Sequence, residues 1–416
     1  MNPGREPYKH AAITLANKIC RDAIWHGDTC NWTGLAFEDG NMRSNVYTRA
    51  LLPDFYDGVA GVTFFLLQIY RIYPHPVILK ILKGAIQQLI TATDDNKNIL
   101  NGFYQGRSGI IYVLKMAAQV LDDNIIEEEA GKKLSELLVT ASTEEHTDMI
   151  SGMAGIILCL LYLYRLENSR NDLLSYAVKL GKLLLAKAEK SGNGYSWKTI
   201  DTALRNLTGY AHGASGIATA FIELYAITKD TEFLFATKEA FRYEDSFYNA
   251  QKQNWPDFRF EHITKNPEDE VCSLGWCHGA PGIGLARLRA FEITGDKSFL
   301  DVGMKALQIT RKLLADDMVH DYTLCHGFFG NASLLLKATT VLKEEIFEKE
   351  VTELADKCFG QFIHRNLPVP NGYHSAKESP CFMQGNSGIG YFFLQLYDPL
   401  LFPSMLESGA IINGRE

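Results

Sequence analysis

Long apolar runs are missing from this chain. Its most hydrophobic stretch, GIILCLLYLYRL from Gly155, falls well short of the roughly 20 residues needed to span a bilayer. The opening MNPGREPYKHAAITLANKIC lacks the apolar core of a secretory signal, so a cytoplasmic protein is expected. Cysteine is scarce and scattered, at 20, 30, 159, 272, 277, 325, 358 and 381 of 416 residues. That spacing excludes a disulfide scaffold and fits reduced thiols. Basic runs are also lacking: the net charge is −8, which argues against nucleic acid as a partner and reads as ordinary solubility. No low-complexity linker marks a boundary, so residues 1–416 are expected to form a single domain.

Glycine, by contrast, is present in register. Seven segments follow one template, G-x-x-G leading into an apolar run. Their glycine pairs are Gly58 and Gly61, Gly106 and Gly109, Gly152 and Gly155, Gly213 and Gly216, Gly279 and Gly282, Gly327 and Gly330, and Gly385 and Gly388. One such pair means little, but seven heading similar runs mark a repeat architecture. Each run is too long for a strand and apolar nearly all round, as in a helix buried on most sides. Amphipathic segments lie between them, for example PVILKILKGAIQQLI and DKSFLDVGMKALQITRKLLAD.

Seven buried helices alternating with seven half-exposed ones suit an all-α double ring, an α/α toroid whose inner helices are wrapped by the outer set. A closed ring also needs no polar end caps, unlike an open solenoid. Two wide intervals, GNGYSWKTIDTALRN before the fourth repeat and RYEDSFYNAQKQNWPDFRFEHITKNPEDE before the fifth, are expected to be loops or short strands carrying substrate contacts.

In such a ring the residues just before each glycine pair meet at one end, however far apart they are in sequence. They include Tyr56, Asp57, Tyr104, Gln105, Asp148, Ser151, Tyr210, His212, Trp276, Cys277, His278, Cys325, His326 and Gln384. A Cys-His-Gly triplet occurs twice, on adjacent repeats, at 277–279 and 325–327. Thiols and imidazoles aimed at one cavity are zinc ligands by type. Cys277, Cys325 and His326 are the expected three. His278 is the alternative to one of them, although the geometry that aims Cys277 inward should swing its neighbour aside. Three ligands with one open position describe a catalytic zinc. Two thiolates would leave a mild Lewis acid suited to activating a third thiol, with a hydrolase as the alternative.

The motifs in order, D-x-x-x-G-x-x-G from Asp148, A-H-G at 211–213, W-C-H-G-x-P-G at 276–282 and C-H-G at 325–327, resemble those of the LanC-like lanthionine synthetases over nearly the whole chain. The resemblance implies an α/α toroid with central zinc on Cys277, Cys325 and His326, and a catalytic acid/base pair at His212 and Asp148. It implies a lanthipeptide cyclase, which adds peptide cysteine thiolates to dehydroalanine or dehydrobutyrine and closes thioether rings. His212 would protonate the enolate, held in the right tautomer by Asp148. His278, Tyr210 and Trp276 are the expected substrate contacts.

The implied partners are a dehydrated precursor peptide with its leader, a separate dehydratase, since no dehydratase domain precedes the cyclase, and a peptide exporter. Association with a membrane-bound complex would come through them. Two positions depart from the nisin-type pattern. Ser273 stands where those cyclases have arginine, and His278 where they have tyrosine, so WCHGAPGIG looks more like the cyclase domains of bifunctional synthetases and the eukaryotic LanC-like proteins. The competing readings are an enzyme that adds glutathione or another free thiol to dehydroamino acids, a peptide-binding scaffold without chemistry, and a zinc-dependent prenyltransferase barrel.

Overall fold

The computed structural model describes residues 3–37, 46–95, 99–167, 170–263, 270–315, 320–372 and 378–407. Fourteen α-helices are found among them, and they alternate as the patterning requires. The inner set is α2 (Val59–Ile72), α4 (Arg107–Leu121), α6 (Met153–Leu166), α8 (Ala214–Thr228), α10 (Ala280–Thr294), α12 (Phe328–Leu342) and α14 (Asn386–Tyr397). The outer set is α1 (Glu6–Arg21), α3 (Pro76–Asp95), α5 (Asn124–Thr140), α7 (Asn171–Ala186), α9 (Thr231–Asp245), α11 (Lys297–Leu314) and α13 (Glu345–Cys358). From α2 to α13 each inner helix and the outer helix that follows it form an antiparallel hairpin, because the turns between them are short. α1 packs beside α14 and so completes the outer ring.

The first glycine of each pair is the N-cap of an inner helix. The second is fixed by space. A methyl group at Gly330 would sit 1.8 Å from the Leu324 carbonyl oxygen, and one at Gly216 would sit 1.9 Å from that of Tyr210. In every repeat the chain folds back over this position so closely that no side chain fits.

These tight turns are joined to one another. Tyr56 N–H donates to Tyr104 O (2.8 Å), Tyr104 to Ile150 (3.1 Å), Met149 to Ala211 (3.2 Å) and Ala211 to Cys277 (3.0 Å). Cys277 N–H donates to Cys325 O (3.2 Å), Cys325 to Met383 (2.9 Å) and Met383 back to Tyr56 (2.9 Å). The circuit passes once through all seven repeats and closes. At the α12–α14 seam, Phe329 and Phe392 stack with ring centroids 4.2 Å apart.

The strands are short hairpins. β1 (Ile24–His26) pairs with β2 (Thr29–Asn31), and β3 (Thr33–Phe37) with β4 (Val46–Ala50), all between α1 and α2. β5 (Glu189–Ser191) pairs with β6 (Gly194–Ser196) in the first wide interval. The second wide interval begins as the end of α9 and then holds a short 3₁₀ helix, Phe258–Ile263. No named strand lies in its described part.

The lumen is filled from the far end by residues 398–407. Phe402, Met405 and Leu406 are buried there. Side chains from four repeats hold this tail. Tyr104 donates to Met405 O (2.8 Å), Tyr391 to Pro403 O (2.6 Å) and the Trp276 indole to Leu406 O (3.3 Å), while Lys337 pairs with Glu407 (3.1 Å). A cavity of about 690 Å³ opens beside the tail at that end, between α2, α4, α6 and α14, away from the glycine turns. No described helix is long and apolar enough to cross a membrane.

Candidate active site

The circuit of turns sets the two cysteines side by side: the Cys277 amide donates to the Cys325 carbonyl, and their thiols hydrogen-bond to each other. The bond from Cys325, opposed by burial and aided by His326 and Arg259, brings Cys277 down to about 6, while the same bond and burial push Cys325 well up. Tyr56, from the first repeat, donates its hydroxyl to Cys325 Sγ at 2.7 Å.

His326 follows Cys325 directly. Its Nε2 lies 3.6 Å from Asp321 Oδ2, which leaves Nδ1 as the nitrogen free of that carboxylate. Among the described residues no three His, Cys, Asp or Glu side chains close up as they would around an ion. Two thiols and an imidazole with a carboxylate behind it are nevertheless a donor set that fits zinc.

On the neighbouring turns of the ring, His212 Nδ1 lies 2.6 Å from Asp148 Oδ2. The acceptor carboxylate fixes the ring proton on Nδ1 and leaves Nε2 to the open side. Asp148 also accepts the Ser151 amide through Oδ1 at 2.7 Å, so a turn-stabilising role and an orienting role coexist in one side chain. The Thr199 hydroxyl donates to the His212 carbonyl at 2.6 Å, tying the segment after the β5–β6 hairpin to the site.

His278 is buried beside His212, ring centroids 5.9 Å apart, with its Nε2 unpartnered. Burial, reinforced by the nearby Arg259 cation, holds it well below the usual imidazole value and therefore neutral. Tyr210 and Trp276 lie deeper. Both are buried, and Trp276 stands 5.2 Å by ring centroid from Tyr104 and from Tyr210, so the three rings floor the site above the C-terminal tail.

Three groups at the site escaped sequence reasoning about function. Tyr56 carried a signal, its place before the first glycine pair. Asp321 precedes C-H-G by four residues without a pattern of its own, and Arg259 lies in the insertion before the fifth repeat, outside the repeat register.

The description "Lanthionine synthetase C-like protein" matches residues 50–407. The chain belongs to this family. Among its relatives is the lacticin 481/lactococcin biosynthesis protein LcnDR2 of Lactococcus lactis subsp. lactis, 28% identical over 347 residues. That match covers 78% of this chain and 34% of the relative, so the chain spans about a third of that protein. The glutathione S-transferase LANCL1 of Danio rerio is 19% identical over 83% of this chain and 82% of its own. Of solved structures, nisin cyclase superposes with a TM-score of 0.66 at 15% identity, covering 87% of this chain and 92% of that one, which shows the α/α-toroid fold.

Proposed function

We propose that this family member is a zinc-dependent lanthipeptide cyclase. Cys277, Cys325 and His326 would hold the metal, which when bound supplies a lowered thiol pKa for a substrate cysteine. The substrate is a precursor peptide carrying dehydroalanine or dehydrobutyrine, the product of a dehydratase acting in the cytoplasm, and it is passed on to an exporter. Its thiolate adds to the alkene β-carbon. His212 takes up on Nε2 the proton that the thiol loses and gives it to Cα, and Asp148 holds the ring in the required tautomer. Neutral His278 lines the same space as an acceptor.

The observation that carries this reading is the hydrogen-bonded His212–Asp148 pair on the turns next to the two thiols in one hydrogen-bonded circuit. The test uses zinc-loaded protein and a peptide with one cysteine and one dehydroalanine, with mass spectrometry after thiol alkylation to count unreacted cysteines. Thioether formation by the wild type and its loss in Cys325→Ala are expected. A wild type that leaves the cysteine free would refute the reading. A second reading, addition of glutathione to dehydroamino acids, is favoured by the likeness to LANCL1 over four-fifths of both chains. It is separated by supplying glutathione with a cysteine-free dehydrated peptide.

A further inference from the structure

Arg259 has no part in proton transfer or in the thiol–imidazole set, yet it is held rigidly and near enough for its charge to act on His278 and on both thiols. It sits on the short 3₁₀ helix 258–263, where its Nε and Nη2 donate to the two oxygens of Asp257 at 2.9 and 2.7 Å. The Asp257 side chain is only 1% exposed and also accepts the Ser273 hydroxyl at 2.5 Å. Its amide donates to the Val271 carbonyl at 2.7 Å. The insertion is thereby stitched to the segment that leads into Cys277.

Burial alone would raise the Asp257 carboxyl. The hydrogen bonds and charge of Arg259, with the Ser273 hydroxyl, instead bring it down to about 2, so the pair is ionised at neutral pH. A guanidinium has five N–H donors. Two are engaged by Asp257, no hydrogen-bond acceptor among the described residues takes those on Nη1, and the side chain is a third exposed. The cation is close enough to feel the charge on both Cys277 and Cys325. His278, on the same side, presents a buried Nε2 without a partner.

A fixed cation with a free donor edge, beside a place where a thiolate reacts, is what a developing oxyanion needs. Resting on the cyclase reading above, we propose that Arg259 is the oxyanion-binding residue of this site: its free edge holds the carbonyl oxygen of the dehydroamino acid and takes the charge that develops there. As the S–Cβ bond forms, the Cα=Cβ π pair moves to the Cα–carbonyl unit and the carbonyl oxygen becomes negative. His212 then delivers a proton to Cα and the carbonyl is restored. The proton lost by the thiol balances the one gained at Cα, and no oxidant or further reactant is required. Asp257 is a positioning residue that keeps the fork aimed.

The experiment compares zinc-loaded wild type, Arg259→Gln, Arg259→Lys and Cys325→Ala on a synthetic peptide with one dehydroalanine and one cysteine three residues apart. Rates are taken over a range of peptide concentration. Zinc content and binding of an analogue with alanine at both positions are measured alongside. Arg259→Gln should lower kcat by about 10²–10³-fold, the cost of losing one oxyanion donor. It should keep its zinc and bind the analogue within about twofold, since the analogue builds no enolate. Arg259→Lys should recover part of the rate by restoring the charge without the fork. Wild-type kcat in Arg259→Gln, with Cys325→Ala inactive, overturns the oxyanion role and leaves the cyclase reading standing. A loss confined to KM, or loss of zinc, overturns it equally. Failure of the wild type to form thioether overturns the cyclase reading and this inference with it.

Discussion

Removing single side chains should separate the roles that converge at the head of the ring. Cys325→Ala is expected to lose stoichiometric zinc by elemental analysis while keeping its helical far-UV signal. His278→Ala should keep zinc and lose only part of the rate, whereas zinc loss there would assign the wrong neighbour of Cys277. His212→Ala should keep zinc and peptide binding yet cyclise about 10²–10⁴-fold more slowly, the usual range for a lost general acid. Asp257 gives a stability signature of its own. Its carboxyl is depressed to about 2 from an ordinary value near 3.8. Its contribution, on the order of 2 kcal/mol, is therefore present above about pH 4 and lost as pH falls towards 2. Urea titrations across that window should show a flatter acid limb for Asp257→Asn than for the wild type. His212, His326 and both cysteines were legible in the sequence because the repeat register placed them. Arg259 was not, because it belongs to an insertion and reaches the site only through Asp257 and Ser273.

Elements explain why the register could be read at all. The second glycine of each repeat is dictated by a carbonyl oxygen closer than any side chain could tolerate, a local steric demand that leaves a visible mark in the sequence. Gly330→Ala should accordingly destabilise the protein by about 2–4 kcal/mol in denaturant unfolding, in the range of buried strain. Gly131, within α5, has nothing within 4 Å of an added methyl group. Gly131→Ala should stabilise by up to about 1 kcal/mol through helix propensity and a less free unfolded chain. The β1–β4 hairpins left no such mark. Their strands are three to five residues long, too short for alternation to stand out from irregular text. The β5–β6 hairpin was anticipated only as loop or short strand. The tail at 398–407 was invisible for another reason: its burial depends on a lumen that exists only once the ring has closed.

For the molecule as a whole, that tail is a structural member. Ending the chain at Tyr397 would strip Phe402, Met405 and Leu406 from the lumen. At about 1.5–3 kcal/mol for each buried side chain, the loss rivals the entire stability of an ordinary domain. The truncated chain is expected to show a broadened, early thermal transition and to bind a hydrophobic dye. The circuit of turns has a further electrical consequence. It brings the N-termini of all seven inner helices to one end, and each carries roughly half a positive charge from its aligned peptide dipoles. The C-termini of the outer helices reach the same end but stand about one helix diameter, roughly 10 Å, farther from the axis. The first-turn amides are already engaged, as where Val59 and Ala60 donate to the Leu52 and Pro53 carbonyls, so what remains is a field and not a socket for an ion. A chain of net charge −8 thus gathers the positive ends of seven helices around its axis, and on the cyclase reading a thiolate and then an enolate would form within their field.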